Sequence, residues 1–125
     1  MDFIGPNVNY ENIFLKDANK VGIFELNTIE SITYSSYKRE VNINLNNGDT
    51  FSFKRKFADM ERLLKVNSDF VKIERGTIVN ILLIQAINYK QEYIYFKSGN
   101  KLNLNKNKLK QIEEMIFYKA SAFYL

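Results

Sequence analysis

The side chains able to do chemistry in this chain are carboxylates, cations, hydroxyls, tyrosines and amides, because it contains neither His nor Cys. Without imidazole there is no Ser-His or Cys-His nucleophile. Without thiolate there is no disulfide, iron–sulfur cluster or thiolate zinc site. A transition-metal centre would need carboxylates alone, a poor ligand set for zinc or iron. The carboxylate pairs Asp59/Glu61 and Glu113/Glu114 fall on segments of helical periodicity, at spacings that do not face side chains toward each other. A solvated helix surface accounts for both. Gly5, Gly22, Gly48, Gly76 and Gly99 are isolated, so no glycine-rich phosphate loop is present. The expectation is a protein that is not an enzyme and carries no cofactor and no metal.

Charge placement is more telling. The chain carries 18 Lys and Arg against 14 Asp and Glu, a formal +4. Asn, Ile and Lys are all abundant and all have A/T-rich codons, so their number says little and only their placement counts. Residues 1–35 hold Lys16 and Lys20 against Asp2, Glu11, Asp17, Glu25 and Glu30, a net −3, and the remainder is therefore +7. Its cations are clumped at Lys38-Arg39, at Lys54-Arg55-Lys56, at Lys72 with Arg75, and at Lys97, Lys101, Lys106, Lys108 and Lys110. Clumped cations in short connections are the footprint expected of a polyanion-binding surface. A solvated Lys-rich surface is the competing explanation.

The elements that must position these groups are mostly strands. The chain's 125 residues suit one domain, and a hydrophobic fraction of 46% can fill its core. No stretch approaches the roughly 18–20 apolar residues of a membrane span, and the start lacks a cationic, apolar leader. A cytoplasmic location is therefore expected. Val41, Ile43 and Leu45 alternate with Asn42 and Asn44, Asn47-Gly48 supplies a tight hairpin turn, and Phe51 and Phe53 return on the inward face. Phe57, Met60, Leu63 and Leu64 predict a helix. Phe70 to Arg75 alternates again, and Ile78 to Ile84 reads as a buried strand or a turn plus strand. Ala86–Tyr89, Tyr93–Lys97 and the Leu102/Leu104 segment after Ser98-Gly99-Asn100 are further strands. Leu109, Ile112, Met115 and Ile116 form a closing helix, and the segment from Phe117 is apolar.

The run Phe70-Val71-Lys72-Ile73-Glu74-Arg75-Gly76-Thr77-Ile78-Val79-Asn80 resembles the signature of the LytTR DNA-binding domain, with Phe70, Ile73, Arg75, Val79, Asn80 and Ile84 on the pattern. The Ile29–Tyr34 segment, the hairpin, the Leu63-Leu64 helix and the late Asn105-Lys106 pair agree in order and spacing. The resemblance spans residues 12–118, leaving 1–11 as a lead-in and 119–125 as an apolar tail. It implies a mainly β fold with minor α: a stack of small antiparallel sheets, one middle helix and one C-terminal helix.

It also implies a bacterial transcription regulator whose inter-strand loops enter the major groove of double-stranded promoter DNA, at direct repeats, as a monomer or a weak dimer pairing on DNA. Three loops would face DNA: Tyr37-Lys38-Arg39, the loop holding Arg75, and Lys106-Asn107-Lys108. Arg75 and Arg39 suit bidentate reading of guanine, and Asn107 suits adenine. Lys38, Lys106 and Lys108 suit phosphate, with Lys54, Arg55, Lys56 and Lys72 as further phosphate contacts. Asn80 reads as structural, and Phe70 and Val79 as core. Many members resemble response regulators with a receiver domain, for which Met1–Asn12 leaves no room, so a regulatory or membrane-bound inhibitor protein is a further expected partner. Glu74 stands where the family usually has His, and Gly76 where it has Ser. These departures, with the modest net charge, suit an alternative: a protein-interaction module of the same fold with weakened or lost DNA binding. Single-strand or RNA binding through Tyr93 and Tyr95 is a third reading.

Overall fold

Period-two alternation of Ile, Val, Phe and Leu with polar residues generates strands in this chain, and short polar connections force those strands to pair with their neighbours. A computed structural model describes residues 11–119. The strands are β1 (Asn12–Lys16), β2 (Val21–Glu25), β3 (Ile29–Ser35), β4 (Glu40–Leu45), β5 (Thr50–Phe53), β6 (Phe70–Glu74), β7 (Thr77–Asn80), β8 (Ile84–Asn88), β9 (Tyr93–Phe96) and β10 (Lys101–Asn103). Helix α1 (Phe57–Leu64) links β5 to β6, and α2 (Lys106–Lys119) follows β10. The strands form three antiparallel sheets: β1-β2, a five-stranded β5-β4-β3-β7-β6, and β10-β9-β8.

The middle sheet supplies both cores. On one face Ile32, Val41, Ile43, Phe53, Phe70 and Ile78 pack with Ile13, Leu15 and Phe24 of the first sheet and with Met60 and Leu64 of α1. On the other, Ile73 and Val79 pack with Ile94 and Phe96 of the third sheet and with Leu109 and Ile112 of α2. Phe70 and Ile73, like Ile78 and Val79, go to opposite cores because side chains alternate across a strand. Over β3, β4 and β5 that second face is polar instead. There Asn44 Nδ2 donates to Ser31 Oγ (3.1 Å) and Thr33 Oγ1 (3.2 Å), and Ser52 Oγ donates to Asn42 Oδ1 (2.6 Å).

The apolar run from Ile78 resolves into the end of β7, a 3₁₀ turn at Ile81–Leu83 and the start of β8. Asn80, 2% exposed, makes that break possible. Its Nδ2 donates to the carbonyls of Ile29 (3.0 Å) and Leu26 (3.4 Å), and its Oδ1 accepts from Leu82 N (3.2 Å). A second polar tie is Glu30, 3% exposed, which accepts from Ser98 Oγ and from Asn100 Nδ2 (2.8 Å) and so joins the third sheet to the second.

Four details depart from sequence expectation. Phe51 is 43% exposed because β5 is an edge strand, although its ring stands 5.4 Å from that of Phe24 in the first sheet. Leu63 is 42% exposed, since it lies roughly 100° around α1 from Leu64 and leaves the Phe57–Met60–Leu64 stripe. At the β4–β5 turn only Gly48 has positive φ (91°), with Gly48 N bonded to Leu45 O (3.1 Å). This is a turn followed by one left-handed residue rather than a two-residue turn. Lys106, Asn107 and Lys108 are not loop residues but the first turn of α2. Asn105 starts that helix: its Oδ1 accepts from Lys108 N (3.0 Å) and its carbonyl from Leu109 N (3.0 Å). Of the apolar tail, residues 120–125 lie outside the described residues.

Candidate nucleic-acid interface

Antiparallel pairing decides which connections meet. Strand β3 runs toward the turn at 36–39, and β7 pairs with it starting from the turn at Arg75-Gly76. Both turns therefore lie at one end of the middle sheet, and Tyr34 N bonds Gly76 O across the gap (2.9 Å). Val41 opposes Phe53, so the Lys54-Arg55-Lys56 segment leaves β5 at that same end. Lys54 Nζ donates to Lys38 O (2.6 Å) and pairs with Glu40 (3.5 Å).

The turn between β1 and β2 arrives there too. Asp17 Oδ2 accepts from Lys54 N (2.8 Å), and Arg55 Nη1 donates to Lys16 O (3.3 Å). Backbone N–H groups, that of Lys54 first and then that of Asn19, hold the Asp17 carboxyl below its usual pKa. Lys16 and Lys20, which belong by sequence to the acidic third, thus join the basic end. Reading by charge blocks misses them because pairing between distant strands, not chain position, brings them in.

The proposed contact residues differ in availability. The side chains of Lys38, Arg39 and Arg75 are exposed and pair with no described residue. Arg39 has φ 54°, a left-handed backbone that ends the turn and re-aims the chain into β4. Lys56 is likewise exposed and unpaired among the described residues. Lys54 is held by Glu40, and Arg55 by Asp59 (3.2 Å). Lys72 is held by Glu61 of α1 (3.2 Å). Glu74 pairs with no described residue and stands beside Arg75. Gly76 has φ 75°, and a Cβ there would stand 3.4 Å from Tyr34 Cβ, so the tight β6–β7 turn itself favours glycine.

Lys106, Asn107 and Lys108 reach the surface from a separate element. Helix α2 packs on β6, and its last turn is tied to the beginning of that strand by Lys119 Nζ, which donates to Ser68 Oγ (2.8 Å) and Asp69 Oδ1 (3.2 Å). Its first turn lies roughly 20 Å away along the helix. That turn holds Lys106 and Lys108 with no acid, an arrangement the helix dipole disfavours. Tyr93 and Tyr95 share one face of β9. Tyr95 is exposed, whereas Lys101 Nζ caps the Tyr93 ring at 4.8 Å. Among the described residues no acidic cluster suits a metal ion, and no helix is long and apolar enough to cross a membrane.

Comparison with known proteins bears on the family and the fold. The profile of a family described as the LytTr DNA-binding domain matches residues 19–117. Among solved structures, the chain is similar to the LytTr DNA-binding domain of a putative methyl-accepting/DNA response regulator from Bacillus cereus. The TM-score is 0.65 at 15% identity, over 86% of this chain and 98% of that one. No curated protein matches by sequence.

Proposed function

The chain belongs to the LytTr DNA-binding domain family, and from that premise we propose that it binds double-stranded promoter DNA sequence-specifically and acts as a bacterial transcription regulator. The observation that carries the reading is the convergence of exposed cations from separate connections on one end of the middle sheet. Arg39 and Arg75 project there from two neighbouring turns with nothing described to neutralise them. A guanidinium on a short rigid turn suits guanine O6 and N7 in the major groove, a contact worth about 1–3 kcal/mol of discrimination. Lys38, Lys56, Lys16 and Lys20 suit phosphate, which positions without specifying.

Lys106, Asn107 and Lys108 extend the surface. Lys119 anchors the last turn of α2 at Asp69, and Leu109 and Ile112, nearer its start, share a core with Ile73, two residues before Arg75. Cations at a helix N-terminus lower stability slightly, and a bound polyanion offsets that cost. Pairing of weakly associating copies on direct repeats belongs to the same reading. The alternative, an interaction module without DNA binding, rests on the unpaired Glu74 beside Arg75.

Selection of bound duplexes from a random pool tests both. Wild-type protein is expected to enrich a motif and to lose affinity with salt at a log–log slope of about −4 to −5, as for roughly four to six phosphate contacts. Arg75→Ala should relax the motif at one position, while Lys108→Ala should lower the slope by about 1 and leave the motif intact. Absence of duplex binding at low salt would overturn the reading in favour of the alternative.

A further inference from the structure

The turn between β3 and β4 carries a large aromatic side chain that the fold does not use. Tyr37 is 95% exposed, above every other large apolar side chain among the described residues. The turn that holds it is built, not loose. Lys38 N donates to Ser35 Oγ (3.3 Å), Lys54 Nζ donates to Lys38 O (2.6 Å), and Arg39 closes the turn in the left-handed region. Leaving a ring of this size in water forfeits its burial energy. It is a cost accepted here beside two cations, Lys38 and Arg39, that are themselves free of described partners.

We infer that Tyr37 is a specificity-determining residue that sets its ring against the C5-methyl group of one thymine in the major groove. The inference rests on the DNA-binding reading above. Lys38 and Arg39, next in the chain, would hold the turn against phosphate and a base edge, which brings the neighbouring Tyr37 ring within reach of the groove floor. Thymine alone offers an apolar group in that groove. An aromatic ring with a restricted backbone beneath it can distinguish thymine from the other bases by contact rather than by hydrogen bonding.

The test uses the full chain and a duplex obtained by selection, with each thymine replaced in turn by deoxyuridine, which lacks only the methyl group. Wild-type protein should lose about fourfold in affinity at one position, the value of burying one methyl. Tyr37→Ala should bind more weakly and show no difference between thymine and deoxyuridine at that position, while Tyr37→Phe should behave as wild type. If wild-type protein binds and discriminates but Tyr37→Ala keeps the same thymine preference everywhere, the inference is wrong and the DNA-binding reading stands. A reduced DNA bend in Tyr37→Ala without any thymine coupling would also overturn it, in favour of a wedge between base pairs. If wild-type protein binds no duplex, the parent reading fails and this one with it.

Discussion

Truncation of Asn80 separates a structural role from a DNA-reading role within the signature segment. Its side chain is 2% exposed and makes three hydrogen bonds: to Ile29 O at 3.0 Å, to Leu26 O at 3.4 Å, and from Leu82 N at 3.2 Å. Asn80→Ala removes all three. The Leu26 carbonyl keeps a second partner, the N–H of Ile29, so its loss is mild. Each bond contributes about 1 kcal/mol net, and a buried group left unsatisfied costs about 1–3 kcal/mol, so the sum is about 2–4 kcal/mol. That is a large share of the roughly 5–15 kcal/mol that holds a domain together. With a urea dependence of about 1.5 kcal/mol per molar, the unfolding midpoint followed by circular dichroism should fall by about 2 M. Asn80→Asp should be no milder, because it turns the donor into an acceptor facing two carbonyls. Asn80 ends β7 and Arg75-Gly76 precedes its start, so folded Asn80→Ala protein should keep its base preference. A midpoint change equivalent to less than about 0.5 kcal/mol, or an altered motif at unchanged stability, would refute the reasoning.

Glu74→Gln removes an unpaired negative charge beside Arg75. Duplex affinity at low salt should rise by roughly fivefold, the worth of one close charge pair in water, and the gain should shrink as salt is added. Gly76→Ser introduces the residue that the family resemblance implies here but places a side chain at φ 75°. It should cost about 1–2 kcal/mol in urea unfolding. The phenol of Tyr89 is pushed up from 10.0 to about 12, by desolvation first and then by its hydrogen bond to Glu113. The unfolded chain therefore loses this proton at lower pH than the folded one, so stability should decline as pH rises from about 10 toward 12. Comparing urea midpoints of wild type and Tyr89→Phe on either side of the ordinary phenol pKa measures that contribution.

Much of the fold was legible because β structure announces itself locally. The alternation Val41, Ile43, Leu45 marks β4, and Asn80 inside an apolar run marks a break that its amide then makes. Expectation and structure differ where neighbours decide. Leu63 and Phe51 have core-type side chains, yet each sits where a short helix or an edge strand leaves it uncovered. Lys106–Lys108 read as a loop because the family resemblance sets them directly after the last strand, and cations in a first turn oppose the helix dipole. Asn105 supplies the cap, and the buried Leu109 and Ile112 supply the packing that outweighs that repulsion.

The absence of His and Cys closed imidazole and thiolate chemistry from the sequence alone, since chemistry requires the atoms to be present. The period of the apolar residues and the signature around Arg75 likewise stood in the sequence as the strands and the family. What only the tertiary structure decided was which charges stand together. The chain separates Lys16, Lys20, Lys38, Arg39, Lys54 and Arg75 into four distant stretches and places the first two in a net-acidic third. Antiparallel pairing of β3 with β4 and β7, and the Asp17 bridge to Lys54, bring those stretches to one end of one sheet. Electrostatic attraction depends on distance in space, and no local pattern in the chain encodes that distance.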